Sequence, residues 1–222
     1  MSTMELNVFA DASKDACGAV SYLRFENENE EEFTTRLLMA KSRVAPLKQH
    51  LTIPQLEMTA LHTAIVLTTY IREESKLTFN NTFLWSDSRC CLDSLMNHTG
   101  TKYIRNRCAK IRQKDENFFY GHVAGKENSA DIVSRGMPLE DLKKSKLGKE
   151  GAPLLKGQLP EHRTLMEHEE NRKKQLHWQP AHRLIAQLSS TSPDSAPSID
   201  YYKSSSTTFD HLNTVAGTTV DR

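Results

Sequence analysis

The sequence predicts an α/β domain, a mixed five-stranded sheet flanked by helices, with a poorly ordered C-terminal tail. Three observations lead there. Short apolar stretches with period-two alternation crowd the N-terminal part of the chain. One long amphipathic segment follows, opened by a proline. From there to about residue 136, strand and helix patterns alternate.

The elements follow in order. Leu6, Val8 and Phe9 open a first strand that runs into Asp11-Ala-Ser13. Ala16 to Phe25 places Ala19, Ser21, Leu23 and Phe25 on one side, a second strand. The acidic run Glu26 to Glu32 forms a hairpin loop, and Phe33 to Ser42 returns as the third, antiparallel strand. A helix spans Ile53 to about Glu74, with Pro54 in its first turn. Its buried stripe is Ile53, Ala60, Leu61, Ala64 and Ile65. Thr82 to Ser86 is a short apolar strand ending at Asp87. Cys91, Leu92, Leu95 and Met96 mark a second helix. Ile104, Cys108 and Ile111 mark a third, around Tyr103 to Lys114. Asn117 to Val123 is the last strand, and Asn128 to Arg135 begins a final helical segment.

Composition sets outer limits. Apolar residues form 37% of the 222-residue chain, below the roughly 45–50% usual in globular domains. Part of the chain is therefore expected not to pack. From Ser189 onward Ser, Thr, Pro and Asp dominate, a composition that buries too little apolar surface to order itself. The net charge of +1 provides no global attraction to nucleic acid or to a membrane, so any such attraction must come from local clusters. Cys17, Cys90, Cys91 and Cys108 lack the C-x-x-C spacing of a zinc knuckle and read as small buried thiols of a reducing compartment. The N-terminus has no signal-peptide pattern and no stretch is apolar enough to span a membrane, so a soluble intracellular protein is expected.

The chemistry is expected from carboxylates. Glu57 lies on the same side of the long helix as its apolar stripe, where an ionised group is costly unless it is paired or holds a cation. Asp11 closes VFAD, Asp87 closes FLWSD, and Asp131 stands in NSAD at the start of the last helix. If the first and fourth strands are neighbours, Asp11 and Asp87 lie side by side at the edge where ligands usually bind. Carboxylates drawn together without a cation repel each other, whereas Mg2+ makes them ligands. Two such ions, with Mn2+ as the alternative metal, can activate a water and stabilise a leaving oxygen in phosphodiester cleavage. Ordinary structural roles compete at each position. Asp87 and Asp131 could be helix N-caps, Asp11 could belong to a simple turn, and Glu57 could pair with Lys41 or Arg43.

The strings FADAS, AKSRVAPLKQHLTIPQLEMTAL, WSDSR, YIRNRCAKI and GHVAGKENSADIVSRG together resemble the ribonuclease H domain of BEL/Pao-type LTR retrotransposon polyproteins, the Pao retrotransposon peptidase family. The resemblance covers roughly residues 4 to 140. It implies a ribonuclease H-like fold and matches Asp11, Glu57, Asp87 and Asp131 to that family's four metal-binding carboxylates, with Asp131 completing a second metal site. It also makes His122 similar to the histidine of the loop that helps product leave. The segment LGKEGAPLLKG resembles a tryptophan-rich stretch that follows such domains, but without the tryptophans. No Asp-Thr-Gly or Asp-Ser-Gly signature of an aspartic protease occurs. No reverse transcriptase or integrase accompanies the domain, so the chain reads as a polyprotein fragment or a host gene derived from one. The expected organisation is a ribonuclease H-like domain over residues 1–140, a basic helical connector over 141–188 and a disordered tail over 189–222.

The expected activity is hydrolysis of the RNA strand of an RNA–DNA hybrid by a metal-dependent endonuclease, with an absent reverse transcriptase domain as a further partner. Lys102, Arg105, Arg107, Lys110, Arg112 and Lys114 crowd the third helix, either as a solvated face or as a handle tracking phosphates. Recognition through duplex shape and the 2′-hydroxyl would then be largely independent of base sequence. The competing function is a catalytically inactive, domesticated module that binds nucleic acid or a protein. Proofreading-type exonucleases want a glutamate two residues after the first aspartate, where this chain has Ser13, and integrase-like enzymes lack a helix glutamate in the place of Glu57.

Overall fold

A computed structural model describes residues 4–26, 33–46, 50–165 and 167–170. Most of the expected acidic hairpin loop and all of the expected tail lie outside these residues.

The first three strands, β1 (Met4–Ala12), β2 (Ala16–Glu26) and β3 (Phe33–Val44), form an antiparallel meander. The helix α1 (Ile53–Glu74) leads to β4 (Asn81–Ser86), which pairs parallel to β1. Helices α2 (Arg89–Asn97) and α3 (Lys102–Gln113) connect to β5 (Phe119–His122), parallel to β4. Then come α4 (Asp131–Arg135), α5 (Leu139–Lys144), α6 (Lys146–Glu150) and β6 (His162–Thr164). The sheet order is β3-β2-β1-β4-β5-β6, a mixed sheet flanked by helices.

The sheet has one strand more than expected. β6 is three residues long with no apolar alternation, so its sequence carries no strand signal. It exists because β5 offers an unpaired edge, and because the His162 ring stands edge-on against Phe83 and Phe119, with centroids 5.1 and 5.0 Å away.

β1 is central and buried on both faces. Leu6, Val8 and Ala10 join Leu61, Ile65, Leu84, Leu95, Cys108 and Ile111 in one core. Phe9 turns to the other face, where Tyr22, Phe83, Trp85, Val123 and Leu155 form a second core. That core contains part of the segment expected as a connector: Ala152 and Leu155 are buried, and the Tyr22 hydroxyl donates to the Leu147 and Gly148 carbonyls. Two apolar assignments need correction. Ile53 is 50% exposed, because the stripe of α1 begins at Leu56, one turn further in. Cys90 is exposed, since it sits on the outer face of α2 while Cys91 points inward.

Arg24 ties the second core together. It is buried and pairs with Glu5, and its Nε donates to the Leu155 carbonyl at 2.9 Å and its Nη2 to the Gly157 carbonyl. A lysine keeps the charge, but its compact ammonium lacks the planar fork that reaches Glu5 and both carbonyls at once. Arg24→Lys is expected to cost about 2 kcal/mol in urea unfolding, from two hydrogen bonds of about 1 kcal/mol each. An unchanged urea midpoint would contradict this account of the buried guanidinium.

Candidate metal centre

The parallel register of β1 with β4 sets Ala10 opposite Ser86, so Asp11 and Asp87 emerge side by side at the carboxyl ends of adjacent strands. Glu57 comes from the second turn of α1, which packs across β1 and β2. One carboxylate oxygen from each of Asp11, Glu57 and Asp87 lies within 4.8 Å of the other two. Neither aspartate proposed as an alternative cap is one: the N-caps of α2 and α4 are Ser88 and Ala130.

Glu57 is buried and accepts a hydrogen bond from the Ala12 backbone, but its Oε2 has no partner in the protein. Burial first, and then the charges of Asp11 and Asp87, push its carboxyl up to about 8. Asp11 rises to about 6 through burial, opposed by a hydrogen bond from Ser134 and reinforced by Asp87 and Asp131. A buried, unpartnered oxygen facing two like charges is unfavourable for a protein alone. It suits a hard divalent cation, which takes oxygen ligands and supplies the missing charge. The donor set therefore fits an ion of that class.

Two side chains that sequence reasoning passed over hold this set in place. Asn128, fully buried, donates from Nδ2 to the Ala10 carbonyl at 2.9 Å and to Asp87 Oδ1 at 3.4 Å. Ser134 donates to Asp11 Oδ2, and its own carbonyl accepts from Ser13 Oγ at 2.8 Å. Gly125 also matters, because a Cβ there would lie 3.0 Å from Asp87 Oδ2. The available signal was spacing: Ser134 stands three residues after Asp131, on the same helical face. Ser134→Ala is expected to weaken cation binding about tenfold, as loss of a ligand's hydrogen-bond partner usually does. It should also raise the Asp11 titration further, readable by NMR, and a downward shift would refute the assigned contact.

Asp131 is placed differently from the other three. It acts electrostatically on Asp11, yet its Oδ1 is held by Arg135 Nε one turn further along α4, and it is not among the three converging ligands. His122 ends β5 opposite Ser86 and lines a cleft of about 410 Å³ with Arg89, His162 and Arg163. It is a strand residue here, since its ladder pairing with β4 continues to the last position before Asp87.

The basic helix divides. Lys102, Arg105, Lys110 and Lys114 are exposed. Arg107 is half-buried against α1, bonded to His62 Nδ1 at 3.3 Å and to the Tyr103 hydroxyl at 3.2 Å. Arg112 does not belong to the exposed patch: its Nη2 donates to the Leu95 and Met96 carbonyls at the end of α2, and its Nη1 to Glu169 at 2.5 Å. The helix end supplied unmet carbonyls, and the nearest guanidinium met them. Arg43 of β3 joins the patch instead. Burial, followed by Arg107, Lys110, Arg43 and Lys114, pushes the His62 imidazole down to about 4.

Residues 1–88 match the family described as Pao retrotransposon-like RNaseH-like domain, a span that includes Asp11, Glu57 and Asp87 and stops before His122 and Asp131. No curated protein matches the chain. Among solved structures, RNase H1 from Halobacterium salinarum NRC-1 is 15% identical with a TM-score of 0.39, over 64% of this chain and 99% of that one. LC11-RNase H1 in complex with an RNA/DNA hybrid is 15% identical with a TM-score of 0.40, over 59% and 93%. A foamy viral protease-reverse transcriptase in complex with dsDNA is 9% identical with a TM-score of 0.33, over 66% and 92%.

Proposed function

We propose that this Pao retrotransposon-like, ribonuclease H-like domain is a divalent-metal-dependent endonuclease that hydrolyses the RNA strand of RNA–DNA hybrids. The observation that carries the reading is the trio Asp11, Glu57 and Asp87, with the buried Glu57 Oε2 left without a protein partner. Asp11, Glu57 and Asp87 would hold Mg2+, and Asp131 would complete a second site. Bound there, the metal supplies an activated water and charge stabilisation for the leaving oxygen. The chain's own residues do the rest. Ser134 and Asn128 fix the carboxylates, and His122, opposite Ser86 at the end of β5, would help product leave. Lys102, Arg105, Arg107, Lys110 and Lys114 with Arg43 engage phosphates of the duplex, a sequence-independent hold. We place this activity inside the cell, within a retrotransposon-derived polypeptide that also acts with a reverse transcriptase. The unpaired thiols support that compartment.

The test is cleavage of a hybrid carrying labelled RNA by the full chain in Mg2+. Internal RNA fragments with an intact DNA strand, absent in EDTA and absent for Asp87→Asn, are expected. Equal cleavage of duplex DNA, or cleavage that survives Asp87→Asn, would overturn the assignment. Hybrid binding without cleavage would favour the inactive module instead.

A further inference from the structure

The cleft lined by His122 has a chemistry of its own. It lies between α2 and the short strand β6. Its mouth adjoins the metal centre, because His122 pairs with Ser86 and Arg89 follows Asp87 by two residues. Its volume of about 410 Å³ is in the roughly 300–1,000 Å³ range of sites that hold one small ligand. The floor is apolar: Leu92 and Met96 from α2, and the buried Tyr120 ring from β5, whose hydroxyl is turned to Asp115. The rim is charged. Arg89 and Asp93 are exposed and stand one turn apart on α2, a spacing at which opposite charges can pair. Neither side chain has a hydrogen bond or ion pair among the described residues. The β6 wall differs, since Arg163 is paired with Glu161, and His162 is engaged by Pro160 and two phenylalanine rings. Arg89 and Asp93 are thus the charges left to a ligand.

We propose that this cleft binds one unpaired nucleotide, with guanine as its preferred base. The inference rests on the nuclease reading for the source of that nucleotide, the end of a strand held over the metal centre. An inorganic anion would leave the apolar floor uncovered, and an apolar ligand would leave two unlike charges unmet. A nucleotide answers both. Its phosphate meets the Arg89 fork at the mouth, beside His122. Its base lies on Leu92, Met96 and Tyr120, which requires a base free of its partner strand, because a paired base does not offer its face and edge together. The Asp93 carboxylate only accepts hydrogen bonds. Guanine presents two adjacent N–H donors to it, whereas uracil presents one.

Titration of the full chain with GMP in EDTA, followed by NMR, tests this without metal and without cleavage. Saturable shifts are expected at Leu92, Met96, Tyr120 and His122, with guanosine and inorganic phosphate each binding more weakly than GMP. UMP should bind about tenfold more weakly, the scale of one hydrogen bond to a charged group. Arg89→Ala should weaken GMP about tenfold and leave guanosine unchanged, for the same reason. Asp93→Ala should remove the preference for GMP over UMP. Both side chains are exposed, so both variants keep the fold. A hybrid ending in an unpaired guanosine that displaces GMP, where a blunt hybrid does not, assigns the nucleotide to a strand end. Displacement by neither assigns the cleft to a free nucleotide. Phosphate binding as tightly as GMP, UMP matching GMP, or no effect of Arg89→Ala overturns the inference and leaves the nuclease reading intact. GMP binding without hybrid cleavage removes the nuclease reading alone.

Discussion

With Mg2+ removed, Glu57→Gln is expected to make the protein more stable at pH 8 than wild type, and with Mg2+ present it should bind the ion at least about 100-fold more weakly. The sign follows from proton binding. The Glu57 carboxyl rises from an ordinary 4.5 to about 8 in the folded protein, because burial and the charges of Asp11 and Asp87 disfavour its ionised form. The folded state therefore holds more protons than the unfolded state between those two values, and stability falls as pH rises through that window. Asp11 adds a smaller effect in the same direction between 3.8 and about 6. At about 1.4 kcal/mol per unit, the Glu57 penalty by pH 8 is on the order of 4 kcal/mol. A neutral glutamine does not incur it. Urea unfolding in EDTA should show wild type losing stability from pH 5 to pH 8, with the loss much reduced in Glu57→Gln. Adding Mg2+ at pH 8 should restore wild type alone, since only a state that binds the ion is stabilised by it. A wild-type protein equally stable at pH 5 and pH 8 without metal would show that Glu57 is not strained by its neighbours.

The same carboxylates explain why much of this site was legible from sequence. Glu57 interrupts an apolar stripe and Asp11 and Asp87 terminate apolar strands, so each breaks a pattern that packing alone would keep. Their convergence needed only that β1 and β4 be neighbours, which the parallel pairing shows. The start of α1 was equally readable, because Pro54 marks its first turn. Other features depend on partners that a one-dimensional pattern does not contain. Arg112 looked like five other basic residues until the carbonyls ending α2 took it. Asp131 matched its motif, but the direction of its carboxylate is decided by Arg135, one turn away. β6 left no trace because its pairing uses main-chain groups and a histidine ring.

Gly121→Ala is expected to cost more than about 3 kcal/mol, the upper end of what overpacking usually costs. Gly121 of β5 lies opposite Trp85 of β4, and a Cβ there would fall 2.1 Å from Trp85 Cζ3 and 2.5 Å from Cε3. The indole has nowhere to go. It is fully buried, stacked on Phe83 at 5.9 Å and Phe9 at 6.3 Å, and its Nε1 donates to Asn7 Oδ1 at 2.9 Å. Tilting it would cost that hydrogen bond and both stacks, so β5 must instead move away from β4. Asp87 follows Trp85 by two residues and His122 sits one beyond Gly121, so the displacement would also widen the rim of the metal centre. Thermal unfolding of Gly121→Ala, Trp85→Leu and the double variant separates the effects. Trp85→Leu alone should destabilise by about 3 kcal/mol through lost packing. If crowding is the cause, the alanine should cost far less in the leucine background, a coupling of at least about 1 kcal/mol. Additive losses would place the role of Gly121 in the backbone rather than in the space it leaves for the indole.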